Sequence, residues 1–318
     1  MVRFLTTLAA AIFSLSVQAQ SWPTKPVRII ASLPAGSATD TVARALAERL
    51  TAQLGQPFIV ENRPGASGSI AMGLVAKADP DGYTLLAHSS SGTVVPSTMP
   101  NLPFDVLKDL AGVTMLANIP NALAVAPGKG YTSVKSLVDF GKANPGKLNY
   151  ATVGSGSATH LNAERFRLSA GITGLQVPYK GTAEALTDLM AGRVDFCFCP
   201  VSNVLPLAKD GRLLMLAVGS SKRSSGAPDV PTTEEAGVPK SAYNFYVGMS
   251  LPSKVPRDIV MKLHSETVKA LNSPEMKERY ARLGMDTNLF TPDQFDAYLR
   301  DEVAANAVLV KAAGITAQ

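Results

Sequence analysis

Cysteine is almost absent from this chain: two among 318 residues, both in the segment DFCFCP at 195–200. On a strand, residues two apart point to one face, and a disulfide across a single intervening residue demands awkward geometry. Cys197 and Cys199 are therefore expected as reduced core residues rather than as a staple, a metal pair or a redox pair. Histidine is nearly as scarce, and no two of His88, His160 and His264 have the spacing of metal ligands. Charged residues make up only 17%, and the formal net charge of +5 is spread along the chain without a Lys/Arg block. That pattern argues against a nucleic-acid or membrane patch and suits a general solubility charge. A phosphate loop, a G-x-G-x-x-G fingerprint and a G-x-S-x-G elbow are missing. So are internal repeats, low-complexity tracts, a flexible linker and, beyond the N-terminus, any apolar run of membrane-spanning length.

What is present is a large apolar fraction, 46%, in a chain long enough for two domains. The N-terminus has Arg3, then the apolar stretch FLTTLAAAIFSLSV, then Val17 and Ala19 at the small-residue positions before a cut. This is the pattern of a secretory signal peptide over residues 1–19, cleaved after Ala19, and it implies export, to a periplasm in a bacterium. Cleavage removes Arg3 and lowers the net charge by one.

From residue 27 the chain alternates β-branched runs with helical stripes. VRIIASL (27–33) reads as a buried strand, and the helix after it carries Val42, Leu46, Leu50 and Leu54 on one face before Gly55. PFIVEN and DGYTLLAHSS supply two more strands around a second helix, which is a parallel α/β unit. The pattern restarts at NALAVAP (121–127) and runs through LNYATVG, LQVPYKG and VDFCFCP with helices between them, followed by a further strand, LLMLAVGS (213–220). A strand in YNFYVGMSLPSKVP (243–256) and three C-terminal helices follow. Two α/β lobes without a linker imply a chain that crosses between them and returns. The expected layout is residues 22–119 plus 248–318 for lobe 1 and 120–247 for lobe 2, with a ligand cleft between lobes.

In open parallel sheets, ligands sit beyond the carboxyl ends of the strands. Two turns have that position: LPAGSATD (33–40) and VGSGSATH (153–160). Each ends a strand, opens a helix and carries Ser-Ala-Thr before a polar residue. Either alone is an ordinary Ser/Thr-capped connector. Two of them, one per lobe, suggest a clamp in which glycines allow close backbone approach and helix N-termini favour a carboxylate. The binding candidates are Leu33, Ala35, Gly36, Ser37, Thr39 and Asp40 from the first turn, with Gly154, Ser155, Gly156, Ser157 and His160 from the second. Gly36, Ser37, Gly154, Ser155, Gly156 and Ser157 are expected as the donors. Asp40 reads as a first-turn acid, or else as an acceptor for a ligand hydroxyl or ammonium. His160 beside Ser155 and Ser157 also permits a hydrolase reading, although a His a few residues after a Ser on one turn seldom aligns with it. Ser89 and Ser90 end the third strand and could donate to a ligand. Lys180 in VPYKG could supply a cation, or be a solvated turn lysine.

The fragments WPTKPVRII, PAGSATDTVAR, VENRPGASGSIA, ADPDGYTLL, GKLNYATVGSGSATHL, VPYKGTAEALTDLMAGRVDF, GRLLMLAVGSSKRS, PDVPTTEEAG and PEMKERYARLGMD run the length of the mature chain. In number and order they resemble the Bug/TctC family of extracytoplasmic solute receptors, some of which serve tripartite tricarboxylate transporters. The resemblance implies a two-lobed periplasmic-binding-protein (type II) fold, each lobe a mainly parallel sheet flanked by helices. It implies a monomeric, non-enzymatic receptor for a small organic carboxylate, held by the two turns and needing no cofactor or metal. Its partners would be membrane permease subunits or a membrane sensor, with no nucleic acid. The family turn commonly reads Phe-Pro-Pro-Gly-Gly-x-Thr-Asp. Here Leu33 replaces the aromatic residue and Ser37 the second glycine, adding a Cβ and a hydroxyl.

Overall fold

A computed structural model describes residues 22–99, 101–154 and 156–315. The expected signal peptide and Ser155 lie outside the described residues. The chain forms β1 (Val27–Ala31), α1 (Ala38–Leu54), β2 (Phe58–Asn62), α2 (Ser69–Ala76), β3 (Thr84–Ser89), the short α3 (Val95–Thr98) and β4 (Leu110–Asn118). After two residues come β5 (Asn121–Val125), α4 (Val134–Ala143), β6 (Leu148–Thr152), α5 (Ala158–Ala170), β7 (Gly174–Pro178), α6 (Thr182–Met190), β8 (Phe196–Pro200), α7 (Val201–Lys209) and β9 (Leu214–Val218). β10 (Tyr246–Pro252), α8 (Arg257–Leu271), α9 (Pro274–Leu283) and α10 (Pro292–Ala313) complete it.

The strands form two five-stranded sheets of one plan, ordered β2-β1-β3-β10-β4 and β7-β6-β8-β5-β9. β1 pairs in parallel with β2 and β3, and β6 with β7 and β8. In fourth place each sheet holds one reversed strand, β10 or β5, antiparallel to both neighbours. The reversal follows from the crossings. β4 runs into β5 with only Ile119 and Pro120 between them. The carboxyl edge of the first sheet therefore faces the amino end of β5, and a chain entering a lobe from that side must run against the other strands. The result is a two-lobed α/β fold with mixed sheets, and the two carboxyl edges face each other. The crossings are tied by a bond from the Ile119 N–H to the Phe245 carbonyl, 2.7 Å.

Local sequence explains the elements. In α1, Val42, Leu46 and Leu50 fall on one face and are buried against β1, β3 and β10, while Gly55 closes the helix in the left-handed region at φ +69°. α10 opens with a reciprocal capping box, Thr291 with Gln294, and Pro292 in its first turn. Two elements go beyond the sequence expectation. β4 is buried on both faces, so it shows no alternation, and its Ala, Gly and Met content lacks a strand signature. α7 contains Pro206, which reads as a break in sequence but sits late in a short helix. Among the described residues no helix is long and apolar enough to cross a membrane.

The cysteine expectation is corrected. Cys197 and Cys199 are buried in the core beside Ala122, Ala124 and Val201, as expected, but they are joined by a disulfide. Side chains two apart on β8 share a face, and the two Cα atoms are 5.7 Å apart, within the span that disulfides bridge. Thiol titration of the unfolded, unreduced protein should therefore find no free thiol, and two after reduction. Two thiols before reduction would contradict the pairing.

Candidate functional site

The two turns sit on the facing carboxyl edges, one after β1 and one after β6, which hold the same place in their sheets. They are copies of one device. Ser37 and Ser157 are the helix N-caps, with φ/ψ of −69°/164° and −68°/160°. Their hydroxyls accept the N–H of Asp40 and of His160, 3.3 Å in both cases. Their own N–H groups donate back to Pro34 O at 3.2 Å and Gly154 O at 3.4 Å. Gly36 and Gly156 both lie at positive φ, +81° and +72°. Each glycine N–H turns inward to the side chain four residues on: Gly36 to Asp40 Oδ2 at 2.9 Å and Gly156 to His160 Nδ1 at 3.0 Å. Ser37 is thus what makes the first turn match the second.

These bonds change which groups can donate to a ligand. The N–H groups of Gly36, Ser37, Gly156 and Ser157 are taken inside their own turns. Among the described residues, the N–H groups of Ala38 and Thr39 at the start of α1, and of Ala158 and Thr159 at the start of α5, have no partner. Those are the orphan donors that every helix start leaves, and the helix dipole adds its partial positive charge there. Four such donors, two on each facing edge, can receive a carboxylate.

Asp40 does not offer its carboxylate to the cleft. It is 5% exposed, and besides the Gly36 N–H it accepts Asn62 Nδ2 at 2.9 Å and pairs with Arg44 Nε at 2.9 Å. Asn62 also donates to the Leu33 carbonyl at 2.9 Å and accepts from Arg44 at 2.9 Å, so β2 and α1 together pin the turn. Burial alone would raise the Asp40 carboxyl, but Arg44, the Gly36 N–H and Asn62 together hold it below its ordinary range. Arg44 and Asn62 lie outside the sequence-derived set; the signal available was the (i, i+4) Asp–Arg pair on α1.

The remaining candidates are placed as follows. Ala35 and Gly36 are exposed and Leu33 half-buried at the mouth of the first turn. Thr39 is fully buried, and its hydroxyl has no partner among the described residues. Its counterpart Thr159 accepts the Val153 N–H at 2.9 Å. Gly154 is half-buried at φ +95°. Ser89 and Ser90 are buried: Ser89 bonds Ser91 at 2.6 Å, and Ser90 bonds the Tyr243 hydroxyl at 3.1 Å. Lys180 is exposed just past β7, the strand beside β6, and its backbone N–H donates to Glu184.

No serine hydroxyl meets the His160 ring among the described residues. Ser157 donates instead to the Gly154 carbonyl at 2.8 Å, so it is not paired with His160 as a nucleophile would be. The Ser–His pair that does form, His88 Nε2 to Ser250 at 3.0 Å, is sealed between β3 and β10. Burial pushes that imidazole down to about 4, so it is neutral. No cluster of metal-ligating side chains occurs among the described residues.

Residues 42–315 match the model of the tripartite tricarboxylate transporter family receptor. The chain is 36% identical over 309 residues to protein BugT of Bordetella pertussis, covering 96% of this chain and 95% of that one. Among solved structures, an R. palustris protein with adipate is 31% identical with a TM-score of 0.75, covering 93% of this chain and 99% of that one. MatC from Rhodopseudomonas palustris, with bound malate, is 27% identical with a TM-score of 0.72, covering 91% and 100%.

Replacing Asp40 by alanine strands the Gly36 N–H, the Asn62 amide and Arg44 together. The expected cost is about 1–3 kcal/mol in denaturant unfolding. Because its native pKa is lowered, the Asp40 contribution is complete above the ordinary value of 3.8 and is lost as pH falls through the native one. A variant as stable as the parent at neutral pH would contradict the brace.

Proposed function

The chain belongs to the tripartite tricarboxylate transporter receptor family, and on that premise we propose that it is a periplasmic solute receptor for a small organic carboxylate. The ligand binds between the lobes, one formed by residues 22–119 with 248–318 and the other by 120–247. The lobes close on it by hinge motion, and the receptor delivers it unchanged to membrane permease subunits. The observation that carries this reading is the pair of matched turns, with N–H groups at the starts of α1 and α5 that have no partner among the described residues. Two helix N-termini acting on one anion suit a carboxylate and ask for no metal or cofactor. Adipate and malate in the related structures support the same ligand class.

The arrangement also explains what each lobe contributes. Neither helix start alone surrounds an anion, so the open form holds the ligand by half its donors, and closure brings the second pair. Ligand binding to the closed form then stabilises the folded protein by mass action, by roughly 2.7 kcal/mol at a hundredfold excess over Kd.

A thermal-shift series with malate, adipate and their diamides tests this directly. The expected outcome is a higher Tm with an acid and no change with its amide. In Gly36→Val the shift should be reduced, since a β-branched residue resists the left-handed backbone at φ +81°. Equal shifts with acid and amide, or none with any acid of a mono-, di- and tricarboxylate panel, would overturn the proposal.

A further inference from the structure

The two turns share the serine cap and the inward glycine N–H, and they differ in the chemistry of the group that accepts that N–H. Position 40 is a carboxylate and position 160 an imidazole, and each takes the N–H of the glycine four residues before it. We infer that His160 is the positioning residue of the second turn, and that it holds the Gly156 N–H only while its ring is neutral. This rests on the receptor reading above and adds to it a dependence on protonation that the first turn lacks.

The geometry fixes the tautomer. With Nδ1 accepting from Gly156 at 3.0 Å, the ring proton of the neutral form is on Nε2. Protonation places a second N–H on Nδ1, and two donors then face each other where one bond had been. Among the described residues, Gly156, at φ +72°, has His160 Nδ1 as its acceptor, and the neighbouring Gly154 carbonyl is taken by the Ser157 N–H and hydroxyl. The Ser157 cap and the start of α5 hang on the same five residues, so the donors of Ala158 and Thr159 lose their placement with it.

Among the described residues, the acids on the elements around the ring are already engaged. One turn along α5, Glu164 already accepts the Tyr150 hydroxyl from β6 and a two-point contact from Arg167, 2.6 Å and 3.0 Å. From α10, which packs on the same helix, Glu302 faces Arg165. In the first turn the corresponding residue is Arg44, of opposite sign to Glu164, and it keeps Asp40 ionised. Burial disfavours the charged ring, Glu164 favours it and Arg167 opposes it; the net effect is to hold His160 below its ordinary value of 6.5. The bond to Gly156 is therefore complete above that value and is lost as pH falls through the lower native one.

The test compares the wild type with His160→Asn, whose side-chain oxygen stands near the place of Nδ1 and cannot be protonated in this range. Affinities for malate are measured by calorimetry from about pH 8 down through the imidazole titration, which the ring's own resonances locate. The ratio of the two cancels the titration of the acid itself. Wild-type affinity relative to His160→Asn should fall about three- to tenfold on acidification, the worth of one hydrogen bond. Selective ¹⁵N-glycine labelling should show the Gly156 amide resonance moving with the imidazole titration in the wild type and standing still in the variant. A bound anion would itself favour the imidazolium, so a ratio that is constant or rises on acidification overturns the inference. So does a Gly156 resonance that ignores the imidazole. If neither protein binds malate or any other acid of the carboxylate panel, the receptor reading fails, and the resonance alone decides whether the brace stands.

Discussion

The bond from a glycine N–H to the side chain four residues on, made once to Asp40 and once to His160, is the constraint on which the site depends. A glycine at positive φ can aim its N–H outward, and in a loose turn it would do so. Here each is drawn inward, the turn tightens around a serine cap, and the helix that follows starts with its first free donors at the edge of the lobe. The donors are set by the turns without being part of them. That division fits the heavy bonding around Asp40: a carboxylate beside the proposed anion site needs its charge countered, which Arg44 does, and Asn62 adds a hydrogen bond.

The sheets put the two devices opposite each other. Both lobes have one plan, with the turn-bearing strand second and the reversed strand fourth, so the same edge of each faces the other. The lobes are also joined along one flank. Arg165 of α5 bonds Asn306 of α10 at 2.9 Å, Asn306 reaches Thr93 at 2.8 Å, and Tyr243 meets Ser90. Leu161, Tyr243, Leu309, Val310 and Val94 pack beneath these bonds. α5 thus carries the second turn at its start and the contact with the C-terminal helix along its side.

Much of this was legible in the sequence where periodicity or turn chemistry was strong. The stripe of Val42, Leu46 and Leu50, the serine caps and the paired Ser-Ala-Thr turns are local signals, and the structure keeps them local. The reversed strands were not legible, because direction in a sheet comes from where the chain crosses and not from the residues of the strand. β4 gave no alternation, being covered on both faces. The direction of the glycine N–H groups was not legible either: sequence marks Gly36 and Gly156 as flexible, but only the folded turn shows their N–H groups pointing inward. Ser89 and Ser90 illustrate the same limit, since their partners Ser91 and Tyr243 are fixed by packing. The disulfide was missed because its feasibility depends on a Cα separation that residue spacing does not reveal.

The most direct test of the account is a crystal structure of the protein with bound malate. The account predicts one carboxylate of the ligand lying between the lobes, its oxygens within hydrogen-bond distance of the N–H groups of Ala38 or Thr39 on one side and Ala158 or Thr159 on the other. A carboxylate held by one lobe alone, or bound away from both helix starts, would contradict it.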